Sequence, residues 1–510
     1  MLAALGAACS RNGGGVSPGA GGATGAGGSG ERLAVVTDRY DIARSASTLR
    51  ETILNTDNVT RGRFGLLFSR AITGNVYGQP LYVAAVDFGG GVQHNVVYVA
   101  TSHNWIYAFD ADGLAGDPAA ADPLWSRMLG EPLLLGAGAD YDPGCTDMRN
   151  EVGITSTPVI SLADNKIFVV AKVPGDQHLH ALDLATGADA AGSPVSIGNM
   201  AMTAFDPRIH LNRSSLLLLG GVVYIAYGSH CDRGAYHGWL FGYDAKTLQL
   251  VRTYNSTPTG TWGAIWQSGV GLSSDGTDIF ATVGNGTSSL QTDDGLNMGN
   301  NVVRLTPTNA ALTVAAHYQA PIHGDDDLQS GAVLLGDSGQ VLGGGKDGFV
   351  LLLQASDMTL LQQINVHDEI NSFAFWNGSA GPLAYVWPST QPLHVYQISA
   401  GSLDEVATSA EQQPIHPSAM FVISSNGTTP GTGVLWASMP IAGDAWHATA
   451  TGALYAYDAA DVSKPSLWNS TLNAADAVGI FAKYSPPIVA NGKVYLATFS
   501  GRLLVYGLKP

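Results

Sequence analysis

One pair of short motifs recurs along this chain, and only a fold built from copies of a single supersecondary unit can accommodate it. The first member is a run of about five β-branched or aromatic residues, as in Val96-Val97-Tyr98-Val99-Ala100. Further copies stand at 166–170, 222–226, 278–282, 340–344, 383–387, 433–437 and 493–497. Such runs read as buried strands rather than helices. The second member follows each run after a turn. Its clearest copies are 106–110, 179–183, 240–244 and 454–458, with weaker ones starting at Val302, Phe349, Leu393 and Leu503. The clear copies hold a small residue in the middle, which lets neighbouring units approach, and end in an Asp that starts a turn.

Another short strand precedes each pair, clearest at 79–83, 156–160 and 485–489, and each of these carries a proline. Proline suits an innermost strand whose free edge faces a central channel. A fourth, outer strand such as 123–126 completes a four-stranded unit, the blade of a β-propeller. The chain is therefore expected to be all-β, a single propeller of about eight four-stranded blades over residues 31–510. The last unit supplies only three strands, and 64–69 is a strand left over ahead of the first blade. Pairing the two closes the ring and removes an aggregation-prone edge.

A length of 510 residues exceeds what one core usually supports, and repetition escapes that limit. The 64 glycines, 24 prolines and 13% charged content suit short strands and tight turns rather than long helical faces. A formal net charge of −17 repels phosphate backbones and anionic lipid, which excludes non-specific nucleic-acid binding. No apolar run is long enough to span a bilayer. Residues 1–9 are small and apolar and end in Gly6-Ala7-Ala8-Cys9, similar to the tail of a bacterial lipoprotein signal, with Leu5 one place further out than usual. On that reading Cys9 takes the lipid, and a frayed hydrophobic terminus is the plainer alternative. Residues 10–30 are almost wholly Gly, Ala and Ser, a flexible tether. The expected product is an exported monomer in the periplasm, at the outer membrane or on the cell surface, touching membrane only through its anchor.

Longer segments resemble a known family. They include Asp41-Ile42-Ala43-Arg44, Glu51-Thr52-Ile53-Leu54, Gly74-Asn75-Val76-Tyr77-Gly78-Gln79-Pro80-Leu81, Glu151-Val152-Gly153-Ile154-Thr155-Ser156-Thr157-Pro158 and Ile265-Trp266-Gln267-Ser268-Gly269. With Tyr236-His237-Gly238-Trp239 and Gly345-Lys346-Asp347-Gly348, they are similar to bacterial exported propellers with repeats like those of pyrroloquinoline quinone (PQQ) enzymes, in the quinoprotein alcohol dehydrogenase-like superfamily. The resemblance implies a fold that hosts enzymes, scaffolds and assembly factors alike. It also raises a PQQ- and Ca-dependent dehydrogenase acting on alcohols or sugars as the alternative to a binding module. Adjacent cysteines and a CxxCH haem site, frequent in such enzymes, are missing. Residues 343–348 satisfy G-x-G-x-x-G but lie between two strands, so they read as a hairpin and not as a phosphate cradle.

In a propeller, the loops between blades share one face with the hairpins joining second and third strands, and that loop-rich face is where ligands or protein partners are expected. His237, Glu151 and Lys346 are its catalytic candidates. Trp262, Trp266, Asn285, Lys346 and Asp347 are candidates for holding a cofactor. Asp325, Asp326 and Asp327 offer carboxylate oxygens to a hard cation such as Ca²⁺, though acidic triplets also serve as solvated or capping turns. His237 equally suits a histidine that fixes a hairpin, and the tryptophans equally suit fillers between sheets. With Cys9 lipidated, Cys145 and Cys231 remain, on loops of the same face in neighbouring blades, and a disulfide between them is expected in an oxidising compartment, the competing reading being two separate thiols in an intracellular protein.

Overall fold

The computed structural model describes residues 32–113, 121–135, 146–197, 205–292, 295–322, 324–325 and 327–510. Eight sheets of at least four strands form the blades of a β-propeller. Blade 2 shows the plan: Val159–Ser161 lies innermost, then Lys166–Val173, Asp176–Asp183 and the outer Val195–Ser196, each antiparallel to the last. The two recurring motifs are the second and third strands. Prolines 80, 158, 486 and 487 stand just ahead of the inner strands Leu81–Asp87, Val159–Ser161 and Ile488–Ala490, where they remove no ladder bond. The aspartates ending the third strands behave as turn formers: the Asp183 carboxylate accepts the N–H of Ala185 (3.0 Å) and Thr186 (2.9 Å), and Asp244 does the same for Lys246 and Thr247.

The strands are apolar on both sides because every sheet is sandwiched between two others. Val169 and Ala171 of blade 2 pack with Val83, Val96 and Ala108 of blade 1. Their strand neighbours Phe168 and Val170 pack with Ile225 and Phe241 of blade 3. The core is thus a ring of clusters between blades, which is how the chain escapes the size limit of one interior. Phe64–Ala71 pairs antiparallel with Arg502–Leu508 as the outermost strand of blade 8 and closes the ring.

The central channel departs from the sequence-based expectation, because the inner edges do not face open space. The segment from Leu33 to Glu51 fills the channel and bonds to all eight blades. Ala34 and Val35 pair with Val83 and Tyr82 of blade 1, and Val36 C=O accepts Ile160 N–H of blade 2 at 2.8 Å. Arg44 donates to the carbonyls of Leu216 (3.2 Å) and Leu272 (2.8 Å) at blades 3 and 4. The carbonyls of Ala43, Ser45 and Ala46 accept from Leu334, Phe375 and Ile423 of blades 5, 6 and 7. Val489 N–H of blade 8 donates to the Tyr40 hydroxyl at 2.8 Å. Arg39, Tyr40, Arg44 and Ala46 hold positive φ of 57°, 71°, 62° and 57°. Non-glycine residues pay about 1–2 kcal/mol each for that region, so the strain persists because the surrounding bonds over-determine it.

The segment enters and leaves at one end. Leu33 C=O accepts Ala84 N–H at 2.9 Å, on the way down the inner strand of blade 1. The Glu51 carboxylate accepts Gly492 N–H at 3.0 Å, in the hairpin between the first two strands of blade 8. That is the lower face, opposite the loop-rich upper one. No helix among the described residues is long and apolar enough to cross a membrane.

Candidate functional site

Three loops of the upper face, one in blade 4, one leading into blade 5 and the hairpin between the second and third strands of blade 5, bring together four of the residues singled out in the sequence. Lys346 donates to both Asp325 oxygens at 2.8 and 2.9 Å and lies 2.9 Å from Asp327 Oδ2. Asn285 donates its backbone N–H to Asp327 Oδ1 at 2.6 Å and its side-chain amide to Asp325. Burial raises the Asp327 carboxyl above its usual range, against the pull of Lys346. Burial opposes the charge on Lys346, yet Asp327 and Asp325 together outweigh it and hold the ammonium protonated above its usual range. The ammonium occupies the position between the two carboxylates that a cation would take. Asp326 lies outside the described residues. Asp347 accepts Phe349 N–H at 3.2 Å across the tight hairpin.

His237 and Trp262 meet one blade earlier through a backbone bridge. His237 Nδ1 lies 3.0 Å from both the carbonyl and the hydroxyl of Thr257, and burial lowers its pKa. Trp262 stacks on Tyr236 at 6.5 Å and 13°, and Tyr236 donates to Asp232 at 2.6 Å. Glu151 stands apart at the junction of blades 1 and 2. Its carboxylate lies 2.5 Å from His103 Nδ1 and accepts Ser102 Oγ at 3.1 Å. The structure therefore does not gather His237, Glu151 and Lys346 into one constellation. Cys231, in the third-blade hairpin, is disulfide-bonded. Cys145 and Cys9 lie outside the described residues.

Trp266 belongs to a different place, the upper mouth of the channel. Its ring meets Tyr484 edge-on at 6.0 Å. Across the mouth, the Arg213 guanidinium lies 4.9 Å from the Tyr484 ring centre and 5.0 Å from that of Tyr77. Lys483 donates to Trp446 C=O at 2.8 Å, and burial, helped by Arg213, lowers its pKa to about 7. The Glu369 carboxylate accepts Ser389 Oγ (2.9 Å) and Gln329 Nε2 (3.3 Å) and lies 3.3 Å from His416 Nδ1. The hydrogen bond to Glu369 raises the pKa of that histidine.

Sequence reasoning passed over Arg213, Tyr77 and Tyr484. One signal was available: a buried serine recurs ahead of the inner strands, at Ser156, Ser214, Ser268, Ser330, Ser372, Ser418 and Ser485. At four of these the residue just before it is a large one, Arg213, Gln267, Gln329 or Tyr484.

PQQ with Ca²⁺ fits this geometry poorly. A flat cofactor on the axis needs a slot between flat faces, but the N-terminal segment fills the channel below and the Tyr77 and Tyr484 rings are already taken up by the Arg213 guanidinium, which leaves only its Nε/Nη2 edge without a partner. Glu369 is taken up by its own partners, and Asn371 bonds Ser268 and Ser418. Among the described residues, no three His, Cys, Asp or Glu side chains are placed to hold a metal.

No protein-family model matches the chain, and no curated protein matches it. Solved structures do. The quinohemoprotein alcohol dehydrogenase of Comamonas testosteroni covers 93% of this chain and 80% of its own at 15% identity, with a TM-score of 0.58. The protein has the fold of the quinoprotein dehydrogenases. The quinohemoprotein alcohol dehydrogenase ADHIIG of Pseudomonas putida HK5 gives 14% identity, the same coverage and a TM-score of 0.60. BamB of Moraxella catarrhalis matches 87% of this chain and 99% of its own at 11% identity and a TM-score of 0.50. This PQQ-like eight-bladed propeller is thus shared by enzymes and by BamB, and the fold alone does not choose between activities.

Proposed function

We propose that the protein is an exported, lipid-anchored binding module that takes a protein or small-molecule ligand on its upper face. The observation carrying this reading is an apolar set on that rim: Trp262 is 42% exposed, Leu290 75%, Leu296 52% and Ile322 39%. Large apolar side chains left in water on one rim mark a docking surface, and tryptophan is a frequent anchor in such surfaces. The bond from Asn285 to Asp325 ties the segment just after Ile322 to the loop carrying Leu290 and Leu296. The polar candidates beside them are engaged with one another. The path of the N-terminal segment supports the same reading, because the described chain starts from the lower face at Leu33 and leaves the upper face free.

A photo-crosslinking residue at Trp262 is expected to trap a partner in the cell envelope. The same residue at Leu162, 40% exposed in a lower-face hairpin, is expected to trap none. Equal trapping at both positions removes the reading. The alternative is a PQQ- and Ca-dependent dehydrogenase of alcohols or sugars. Protein mixed with PQQ and Ca²⁺ is expected to show neither stoichiometric uptake nor substrate-dependent dye reduction, and finding both overturns the binding-module reading.

We also propose Cys145 as the partner of Cys231. The bridge closes a loop of about 86 residues, worth roughly 4.6 kcal/mol in the chain-entropy model before strain is subtracted. Alkylation of natively exported protein is expected to label neither thiol until reductant is added. Labelling of both without reduction rules the bridge out.

A further inference from the structure

The Arg213 side chain is 4% exposed, and its Nε and Nη2 are buried with no hydrogen-bond partner. Only Nη1 is engaged, against Met148 Sδ at 3.2 Å. Nε and Nη2 form one edge of the guanidinium plane, the pair of parallel donors that matches the two oxygens of a carboxylate. The two tyrosine rings hold the guanidinium and leave that edge unanswered. A buried donor without an acceptor costs about 1–3 kcal/mol, more when charged, so its retention calls for a ligand. Arg149 adds a third unanswered donor, since its Nη2 is also buried and unpartnered. Lys483 places an ammonium beside the same stack, with Nζ 6.0 Å from the Tyr484 ring centre. Three cationic side chains gathered at one mouth of a chain with net charge −17 form a local reversal of sign.

We propose that the mouth of the channel is a carboxylate-binding site in which the Nε/Nη2 edge of Arg213 takes the anion bidentately, assisted by Arg149 and Lys483. The inference deepens the reading of the upper face as the binding face by naming the chemistry of one ligand there. The carboxylate belongs either to a free small acid or to the end of a peptide chain, and the same contacts serve both.

Lys483 makes the site pH-dependent. The charged groups around it are Arg213, Arg149, Asp147 and Asp444, with the Tyr484 ring alongside. Below about pH 7 the lysine is cationic and supports the anion. As pH rises through that value it loses its proton and the affinity falls, while the ligand carboxylate stays ionised throughout.

Titration calorimetry of the full chain with succinate, and with N-acetyl-tetraalanine as free acid and as amide, tests the proposal. Saturable binding of succinate supports a small acid, and binding of the peptide acid without its amide supports a chain end. In either case R213K, which keeps the charge but not the fork, is expected to weaken binding by about tenfold or more. K483Q is expected to retain binding and flatten its decline between pH 6 and 8. Melting curves confirm that each variant is folded. No binding of either probe at tens of millimolar, or equal binding by R213K and the parent, overturns the site. Partner trapping at Trp262 without carboxylate binding sinks this site and leaves the docking rim standing. Carboxylate binding without trapping supports the site and removes the rim.

Discussion

Arg44→Ala is expected to lower stability by about 3–5 kcal/mol, the range for removing one side of a buried ion pair. Arg44 is fully buried in the channel and bonds Leu272 C=O, Leu216 C=O, Asp38 C=O (2.8 Å) and Thr37 Oγ1 (2.6 Å). Its charge faces Asp38 and Asp41, whose carboxyls are pushed up by burial and pulled back by Arg44 among other groups. Truncation removes the pull and leaves the burial, so both carboxyls rise further above their unfolded value. A carboxyl raised in the folded state costs stability as pH climbs from its unfolded pKa through its folded one. The variant is therefore expected to lose most near neutral pH and least near pH 4, read as the difference between urea melts at the two pH values. Gly271→Ala injures the same place from the other side, because a Cβ there would lie 2.4 Å from Arg44 Nη2. A loss below about 0.5 kcal/mol for Arg44→Ala at pH 7, within the range of an ordinary surface change, shows that the channel segment is not held by this side chain.

The blades were legible in the sequence because sheets buried on both faces demand continuous apolar runs, and 96–100 or 493–497 have no other reading. The closing strand at Phe64 was legible for a related reason, since a three-stranded last blade leaves one edge without a partner. The channel segment was not. It has no periodicity, and Asp38, Arg39, Asp41 and Arg44 look like residues facing water until eight inner strands are seen around them. At the upper face, the loops holding Asn285, Asp325 and Lys346 could be assigned to one rim from the repeat alone. Their neutralisation of one another could not, because it depends on how closely two blades approach. Arg213 and Tyr484 escaped because each is a single residue. What they do follows from the ring bringing blades 1, 3 and 8 around one axis.

Deleting residues 63–71 is expected to abolish cooperative melting and cause aggregation, whereas deleting 10–30 leaves the melting curve unchanged. The strand Phe64–Ala71 pairs along Arg502–Leu508, from Phe64 opposite Leu508 to Ala71 opposite Arg502. Without it, Leu503, Leu504, Val505 and Tyr506, all buried in the closed ring, line an unpaired edge open to another chain. The deletion also shortens the path from the channel segment to blade 1, so a point substitution is needed to isolate the closure itself. Phe64→Ala serves: the ring is fully buried, 5.2 Å from Trp436 and 4.9 Å from Trp468 of blade 7, and truncation leaves a cavity where blades 7 and 8 meet. The expected cost is about 3–5 kcal/mol with the chain path intact. Equal tolerance of both deletions, together with an unshifted melt for Phe64→Ala, refutes closure by this strand, because neither its pairing with Arg502–Leu508 nor its packing on blade 7 would then contribute to stability.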